Sequence, residues 1–357
     1  MSNTALVVGI TGIVGKGLAE HLVAKGWKVI GLARTAAPTM AGVTFVAADL
    51  LDLNALRSGL GDARPTHVFF TTWSRNPTEA ENIRINGAMM RNLLTVLRPA
   101  RSIQHFALVT GLKHYIGPFE MYGKVSPPLT PFKETLPRLD LPNFYYTLED
   151  ELFAAAEQDG FGWSVHRPHT MIGHADRNVM NMGATLAVYA AFCRETGRPF
   201  AFPGNEIQWH GVTDMTDARI LAQHLEWAAT TPAAHNQALH VVNGDVFRWK
   251  WMWGQIADWF GLEPVPFSGE GVRLEKQMAD AAPIWGDIAR RHNLAEPELQ
   301  KIASFWHTDA DLRRPFECIT DMSKSRELGF TEYKSTDQSF FDLFARLQQR
   351  RIIPRTD

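Results

Sequence analysis

Cysteine is nearly missing from this chain, with only Cys193 and Cys318 among 357 residues. The two can form at most one disulfide and cannot supply a zinc-ligand set, so a stapled or zinc-ribbon architecture is excluded and a reducing compartment is expected. Charge of one sign is lacking too, since 36 Lys plus Arg stand against 38 Asp plus Glu. That balance gives no electrostatic basis for a nucleic-acid or anionic-membrane partner. No apolar run reaches the roughly 18 residues needed to span a bilayer, and the N-terminus enters a strand-like run without a basic region followed by an apolar stretch. A cytoplasmic protein with a small-molecule ligand is expected. Metal ligation is not expected either: His166-Arg-Pro-His169 spaces two histidines three apart, but no cysteine or glutamate completes a site there.

What is present is alternation. Ala5-Leu-Val-Val-Gly9 is a short apolar run ending in glycine, and the residues from Gly12 to Ala24 carry helical apolar spacing. Strands follow near Lys28–Ala33, Val43–Ala47, His67–Thr72, His105–Thr110 and Trp163–His166, with helices near Leu53–Leu60, Thr78–Leu97 and Leu148–Gln158. This pattern predicts an α/β fold, a Rossmann-type doubly wound parallel sheet with a smaller C-terminal substrate region. Arg167-Pro168 marks a break, so residues 1–168 are expected to form the dinucleotide-binding domain, completed by later segments, and 169–357 mainly a substrate and lid region. Helices are expected there near Gly183–Arg194 and Asp217–Thr230. The aromatic string Phe247-Arg-Trp-Lys-Trp-Met-Trp253 leads into an amphipathic helix and reads as core packing, not base stacking.

Between the first strand and helix, Gly9-Ile10-Thr11-Gly12-Ile13-Val14-Gly15 has the GxxGxxG spacing. Absent side chains let backbone approach a pyrophosphate, the helix N-terminus supplies free N–H donors, and the last glycine lets helix pack on strand. At the end of the second strand stands Arg34, where an acid would select NAD; an arginine favours the 2′-phosphate of NADPH. Thr71, Thr72 and Trp73 end the fourth strand on the ligand side of such a sheet.

Short-chain dehydrogenases place a tyrosine and a lysine beside the nicotinamide, usually as Tyr-x-x-x-Lys. That spacing is absent: Glu149 stands four past Tyr145 and Asp150 four past Tyr146. The cation must come from elsewhere, and Lys113 in Thr110-Gly-Leu-Lys-His-Tyr115 is the candidate, with Tyr145 in Asn143-Phe-Tyr-Tyr-Thr-Leu-Glu-Asp150 supplying the phenol. These strings resemble the progesterone 5β-reductase/iridoid synthase-like enone reductases, an atypical extended branch of that superfamily. The resemblance continues through Lys113-His-Tyr-Ile-Gly-Pro-Phe-Glu120, Trp163-Ser-Val-His-Arg-Pro168, Val242-Asn-Gly-Asp-Val-Phe247, Asp321-Met-Ser-Lys-Ser-Arg-Glu-Leu-Gly-Phe330 and Arg351-Ile-Ile-Pro354, which is nearly the whole chain.

The resemblance implies that Lys113 and Tyr145 are catalytic and also touch the cofactor, that Asp49 and Leu50 meet the adenine edge, and that NADPH is the reductant. It also implies a substrate pocket walled by Trp73, Phe119, Met121, Tyr122, Met180, Met182, Phe305 and Trp306. His169 stands where the family usually has glycine. The expected reaction is 1,4-reduction of an enone or enal of steroid or terpenoid kind, the phenol stabilising the enolate oxygen. The pair alone does not separate C=C from C=O reduction. A carbonyl reductase or epimerase on the same scaffold, and an NADP-binding sensor without chemistry, are the competing readings. A homodimer is one assembly compatible with the chain.

Overall fold

The structure, a computed structural model, describes residues 3–35, 40–175 and 178–356. Its first half runs β1 (Thr4–Val8), α1 (Ile13–Ala24), β2 (Lys28–Ala33), β3 (Val43–Ala47), α2 (Leu53–Leu60), β4 (His67–Phe70) and α3 (Glu79–Leu97). It continues with β5 (His105–Val109), the single turn α4 (Lys113–Ile116), α5 (Phe144–Asp159) and β6 (Gly162–Pro168). Then come β7 (Met171–Ile172), α6 (Met182–Thr196), β8 (Thr216–Asp217) and β9 (Gln237–Val241). Helices beyond α6 are named by their residue ranges.

Seven strands form one parallel sheet in the order β3-β2-β1-β4-β5-β6-β9. The chain starts in the middle of the sheet, walks outward through β2 and β3, and returns to place β4 on the other side of β1. Val8 is therefore paired with Leu32 on one side and Phe70 on the other. Loops leaving β1 and β4 diverge to opposite faces, and this reversal opens a crevice at the carboxyl edge. β9, drawn from beyond residue 168, completes the sheet.

Strand residues alternate between two cores. Leu6, Val8, Phe70, Leu108 and Val165 pack on Leu56, Leu93, Leu148 and Leu152 of α2, α3 and α5. Ala5, Val7, Phe69 and Ala107 pack on Leu18 and Leu22 of α1 and on Leu221 and Leu225 of the helix Ala218–Thr230. Both faces are covered, which is why the strands read as continuous apolar runs. A third core gathers Trp249 and Trp253 of the helix Trp249–Phe260 with Trp285, Phe200, Phe340 and Phe344. Each such side chain contributes about 1.5–3 kcal/mol by leaving water, and the indole of Trp253 stacks on Phe200 at 4.2 Å. The aromatic residues of the tryptophan-rich string are thus core, apart from the half-exposed Trp251.

One element starts earlier than its periodicity indicates. α5 begins at Phe144, not near Leu148, because Asn143 caps it through Oδ1, which accepts from Tyr145 N at 3.0 Å. Phe144, Tyr145 and Tyr146 are all buried. Tyr145 accordingly sits within the first helical turn, not in the loop before it.

Candidate active site

The glycine-loop side of the crevice is built from backbone. Gly9 adopts a positive φ of 86°, its amide donates to Leu32 O at 2.8 Å, and a Cβ there would come within 2.6 Å of Thr72 Cβ. A Cβ on Gly15 would strike the Gly9 carbonyl. The loop can therefore close only with these two glycines. α2, α3 and α5 are capped by Asp52, Thr78 and Asn143, whereas α1 has Gly12 at its N-cap, with no side-chain cap and no acid in its first turn. Its first N–H groups stay available to an anion. Thr11 is exposed, Ile13 is buried against Ala175 and Ala218, and Val14 packs on the sheet.

Other residues at this edge divide into structural and free ones. Thr71 Oγ1 donates to Val8 O at 2.8 Å and closes the seam between β1 and β4. Leu50 is buried in the sheet core and its carbonyl accepts from Asn92 Nδ2 at 2.9 Å. Asp49 is exposed and takes its Oδ1 back to Leu51 N at 2.9 Å. Arg34 is exposed beyond β2, and among the described residues no carboxylate pairs with it.

The reactive side is built from side chains of several segments. Lys113 opens α4, and its ammonium lies 4.5 Å from the Trp73 ring, 4.3 Å from Phe119 and 5.4 Å from Phe144. Trp73 and Phe144 are themselves stacked at 5.2 Å. Burial pushes the Lys113 amine down to about 8; Glu79, Glu120 and Asp311 oppose this, and Arg75 adds to it. Among the described residues no acceptor hydrogen-bonds Nζ; aromatic faces take that place.

Tyr145 and Tyr146 are neighbours with opposite fates. Tyr146 Oη donates to His114 O at 2.6 Å and accepts from Leu139 N at 2.9 Å, so its hydroxyl is spent on holding α4. Tyr145 Oη lies beside Gly111, 3.4 Å from where a Cβ would stand, with no hydrogen-bond partner among the described residues. Burial raises its pKa, and Glu79 raises it further, so the phenol stays protonated as a donor. Asn143 ties the pair together: Nδ2 donates to Lys113 O at 2.8 Å while Oδ1 caps at Tyr145 N.

Glu149, in the usual lysine's place, is buried and tied to Arg167 at 3.2 Å and Arg138 at 2.9 Å. Burial would raise its carboxyl, but His114, Arg167 and Arg138 hold it down at about 2. It is a fixed anion on the buried face of α5.

Among the expected pocket walls, Trp73 and Phe119 surround Lys113, while Tyr122 and Trp306 contact Phe119 at 5.4 and 5.9 Å. Met121 lies at Gly117, and Met180 is half-buried. Met182 is packed in the C-terminal core and Phe305 lies against it, so the structure does not bring these two to the aromatic cluster. Sequence reasoning missed Phe144, Glu79 and Arg75, whose guanidinium lies 3.8 Å over the Trp306 ring. Phe144 stood inside a quoted string and Arg75 two residues past Trp73; nothing local marks Glu79, whose Oε1 accepts from Phe144 N at 2.7 Å.

The comparisons with known proteins agree with the resemblance. A family model described as a PRISE-like Rossmann-fold domain matches residues 58–354. An (S)-8-oxocitronellyl enol synthase of Camptotheca acuminata is 40% identical, covering 99% of this chain and 93% of that protein. A 3-oxo-Delta(4,5)-steroid 5-beta-reductase of Arabidopsis thaliana is 36% identical, again over 99% and 93%. Among solved structures, a UDP-glucose 4-epimerase of Thermotoga maritima superposes with a TM-score of 0.68 at 14% identity, over 97% of this chain and 99% of its own. The Bordetella bronchiseptica enzyme WbmG gives 0.67 at 14% identity, over 99% and 97%. Such low identities speak for the extended sheet fold alone. Matching family model and full-length relatives together show that this chain belongs to the PRISE-like Rossmann-fold family.

Proposed function

We propose that the protein is an NADPH-dependent reductase that saturates activated C=C bonds in small enones or enals. The observation that carries this reading is the unpartnered Tyr145 hydroxyl, held by Asn143 in one frame with the caged Lys113. The dinucleotide fits the residues present: uncapped α1, a loop with no room for side chains at Gly9 and Gly15, and the free Arg34 that suits a 2′-phosphate. When bound, the reduced nicotinamide supplies hydride. With the Gly12 amide donating to Gly9 O at 2.9 Å, the amides of Ile13, Val14 and Gly15 would hold the pyrophosphate, and Lys113 would supply the positive field and ribose contacts.

The substrate's carbonyl oxygen would accept a hydrogen bond from Tyr145. As the β-carbon is reduced, negative charge gathers on that oxygen as an enolate, and a donor already in place costs no reorganisation. The rings of Trp73, Phe119 and Phe144 limit the access of water to the ammonium, which strengthens its field. Both cysteines are buried free thiols, in keeping with a cytoplasmic setting. Among the described residues no helix is long and apolar enough to cross a membrane. The named functions of the two relatives support C=C over C=O reduction, and the epimerase likeness rests on fold.

The test follows NADPH absorbance with cyclohexenone, a linear enal, a steroid enone and a saturated ketone. Oxidation with the unsaturated compounds and none with the saturated ketone is expected. Turnover of the saturated ketone alone would overturn the reading.

A further inference from the structure

Beyond β6 lies a polar knot that the proposed reduction does not use. His169 follows Pro168, and its Nδ1 lies 2.7 Å from Asp214 Oδ1 while its Nε2 lies 2.8 Å from Arg314 Nη1. Its own amide donates to Thr216 Oγ1 at 3.0 Å. The next residue, Thr170, donates through Oγ1 to Asp311 Oδ2 at 2.9 Å, and Arg314 Nε donates to Asp311 O at 3.1 Å. Asp214 Oδ2 accepts from both N and Oγ1 of Thr320, each at 2.8 Å. His169, Asp214, Asp311 and Arg314 are all at least nine-tenths buried. Buried ionic clusters of this kind add little net stability over apolar packing, but breaking one partner is costly, so they fix one arrangement of the segments they join.

The segment fixed here is the helix Phe305–Leu312. Asp311 is fastened at one end to the β6 edge, and the other end carries Trp306 and His307, whose rings lie 5.9 and 6.1 Å from Phe119. Phe119 in turn faces the Lys113 ammonium. We infer that His169 and Thr170 form a latch that holds the helix Phe305–Leu312 as a wall of the substrate site, and that His169 thereby sets which substrates fit. This rests on the enone-reductase reading of that site.

The latch has a defined polarity. Burial and the Arg314 guanidinium work against a second proton on the His169 ring, but the neighbouring Cys318 and Asp214 outweigh them and raise its pKa to about 9. In this arrangement Arg314 can only donate, so Nε2 is the acceptor facing it and Nδ1–H donates to Asp214. A glutamine amide can reproduce this donor and acceptor; a leucine of similar bulk can reproduce neither.

The experiment compares His169→Gln, His169→Leu and Thr170→Val in the full chain. Amide hydrogen exchange over residues 305–312, measured without substrate, should quicken about tenfold or more in His169→Leu, as the loss of a charge-assisted hydrogen bond requires. The glutamine variant should stay near wild type. In steady state, His169→Leu should raise KM for cyclohexenone and shift kcat/KM toward a bulky steroid enone, with NADPH affinity unchanged and the glutamine variant restored. Unchanged exchange in His169→Leu, or an equal loss on both substrates, would overturn the latch. If that variant does not fold, Thr170→Val carries the same comparison with a smaller effect in the same direction, and its failure to quicken exchange would overturn the latch as well. A wild-type protein that reduces no enone would sink the reductase reading, while the exchange result would still decide the latch.

Discussion

On the glycine-loop side of the crevice the groups proposed to hold the cofactor are mainly backbone amides and missing side chains within the seven residues from Gly9 to Gly15, joined by the Arg34 side chain beyond β2. On the reactive side they are side chains delivered by distant segments: Trp73 after β4, Lys113 on α4, Tyr145 on α5 and Trp306 on the helix Phe305–Leu312. The first kind of site is fixed by one turn and tolerates almost any sequence around it. The second depends on long-range contacts, such as Asn143 joining Lys113 to Tyr145, and can be lost without touching a reactive atom. A fold that holds its cofactor with backbone is free to vary the chemistry beside it.

The largest expected effect strikes the backbone-built side. Gly15→Ala puts a methyl into the Gly9 carbonyl, which cannot rotate away as a side chain could. Titration of NADPH by fluorescence should show no measurable binding, and a near wild-type affinity would mean the loop is not the pyrophosphate site. Tyr145→Phe acts on the other side alone: kcat for an enone should fall by about 10²–10³, or about 2.7–4 kcal/mol, with NADPH binding intact. Tyr146→Phe should cost stability through the stranded His114 carbonyl and only a few-fold in kcat. The reverse ranking would assign the donor to Tyr146.

Arg34→Ala should weaken NADPH by about 10- to 100-fold and leave NADH nearly unchanged, because only the 2′-phosphate loses a charge-assisted partner. Equal losses for both cofactors would assign Arg34 to a shared group or to the fold. A pH effect is confined to the reactive side. Burial lowers the Lys113 pKa to about 8, so the amine is protonated below that pH and loses its charge above it. kcat/KM, which reports the free enzyme, should fall roughly tenfold per pH unit beyond that point, while NADPH affinity changes far less. A flat profile to pH 10 would show that the Lys113 charge is not needed.

This contrast also sets what could be read in the sequence. β2 and β3 fall where the apolar runs place them, and the glycine loop sits between strand and helix as its spacing requires. Local pattern suffices there. The start of α5 was displaced because a buried aromatic trio and an asparagine cap extend the helix past its amphipathic part. That Tyr145 has the free hydroxyl, and Tyr146 the occupied one, depends on a carbonyl on α4 and an amide at Leu139, which no local pattern encodes. Met182 carries a wall-like residue type yet faces a core built from helices far along the chain. The knot of His169, Asp214, Asp311 and Arg314 draws on segments with no shared periodicity and becomes visible only once they meet.

The central claim is that Tyr145 stabilises an enolate while the carbonyl survives, and one labelling experiment tests it. Cyclohexenone incubated with the protein and NADPH deuterated at the transferable position should give the saturated ketone with deuterium at the β-carbon. An allylic alcohol labelled at the former carbonyl carbon would contradict the account and make the protein a carbonyl reductase.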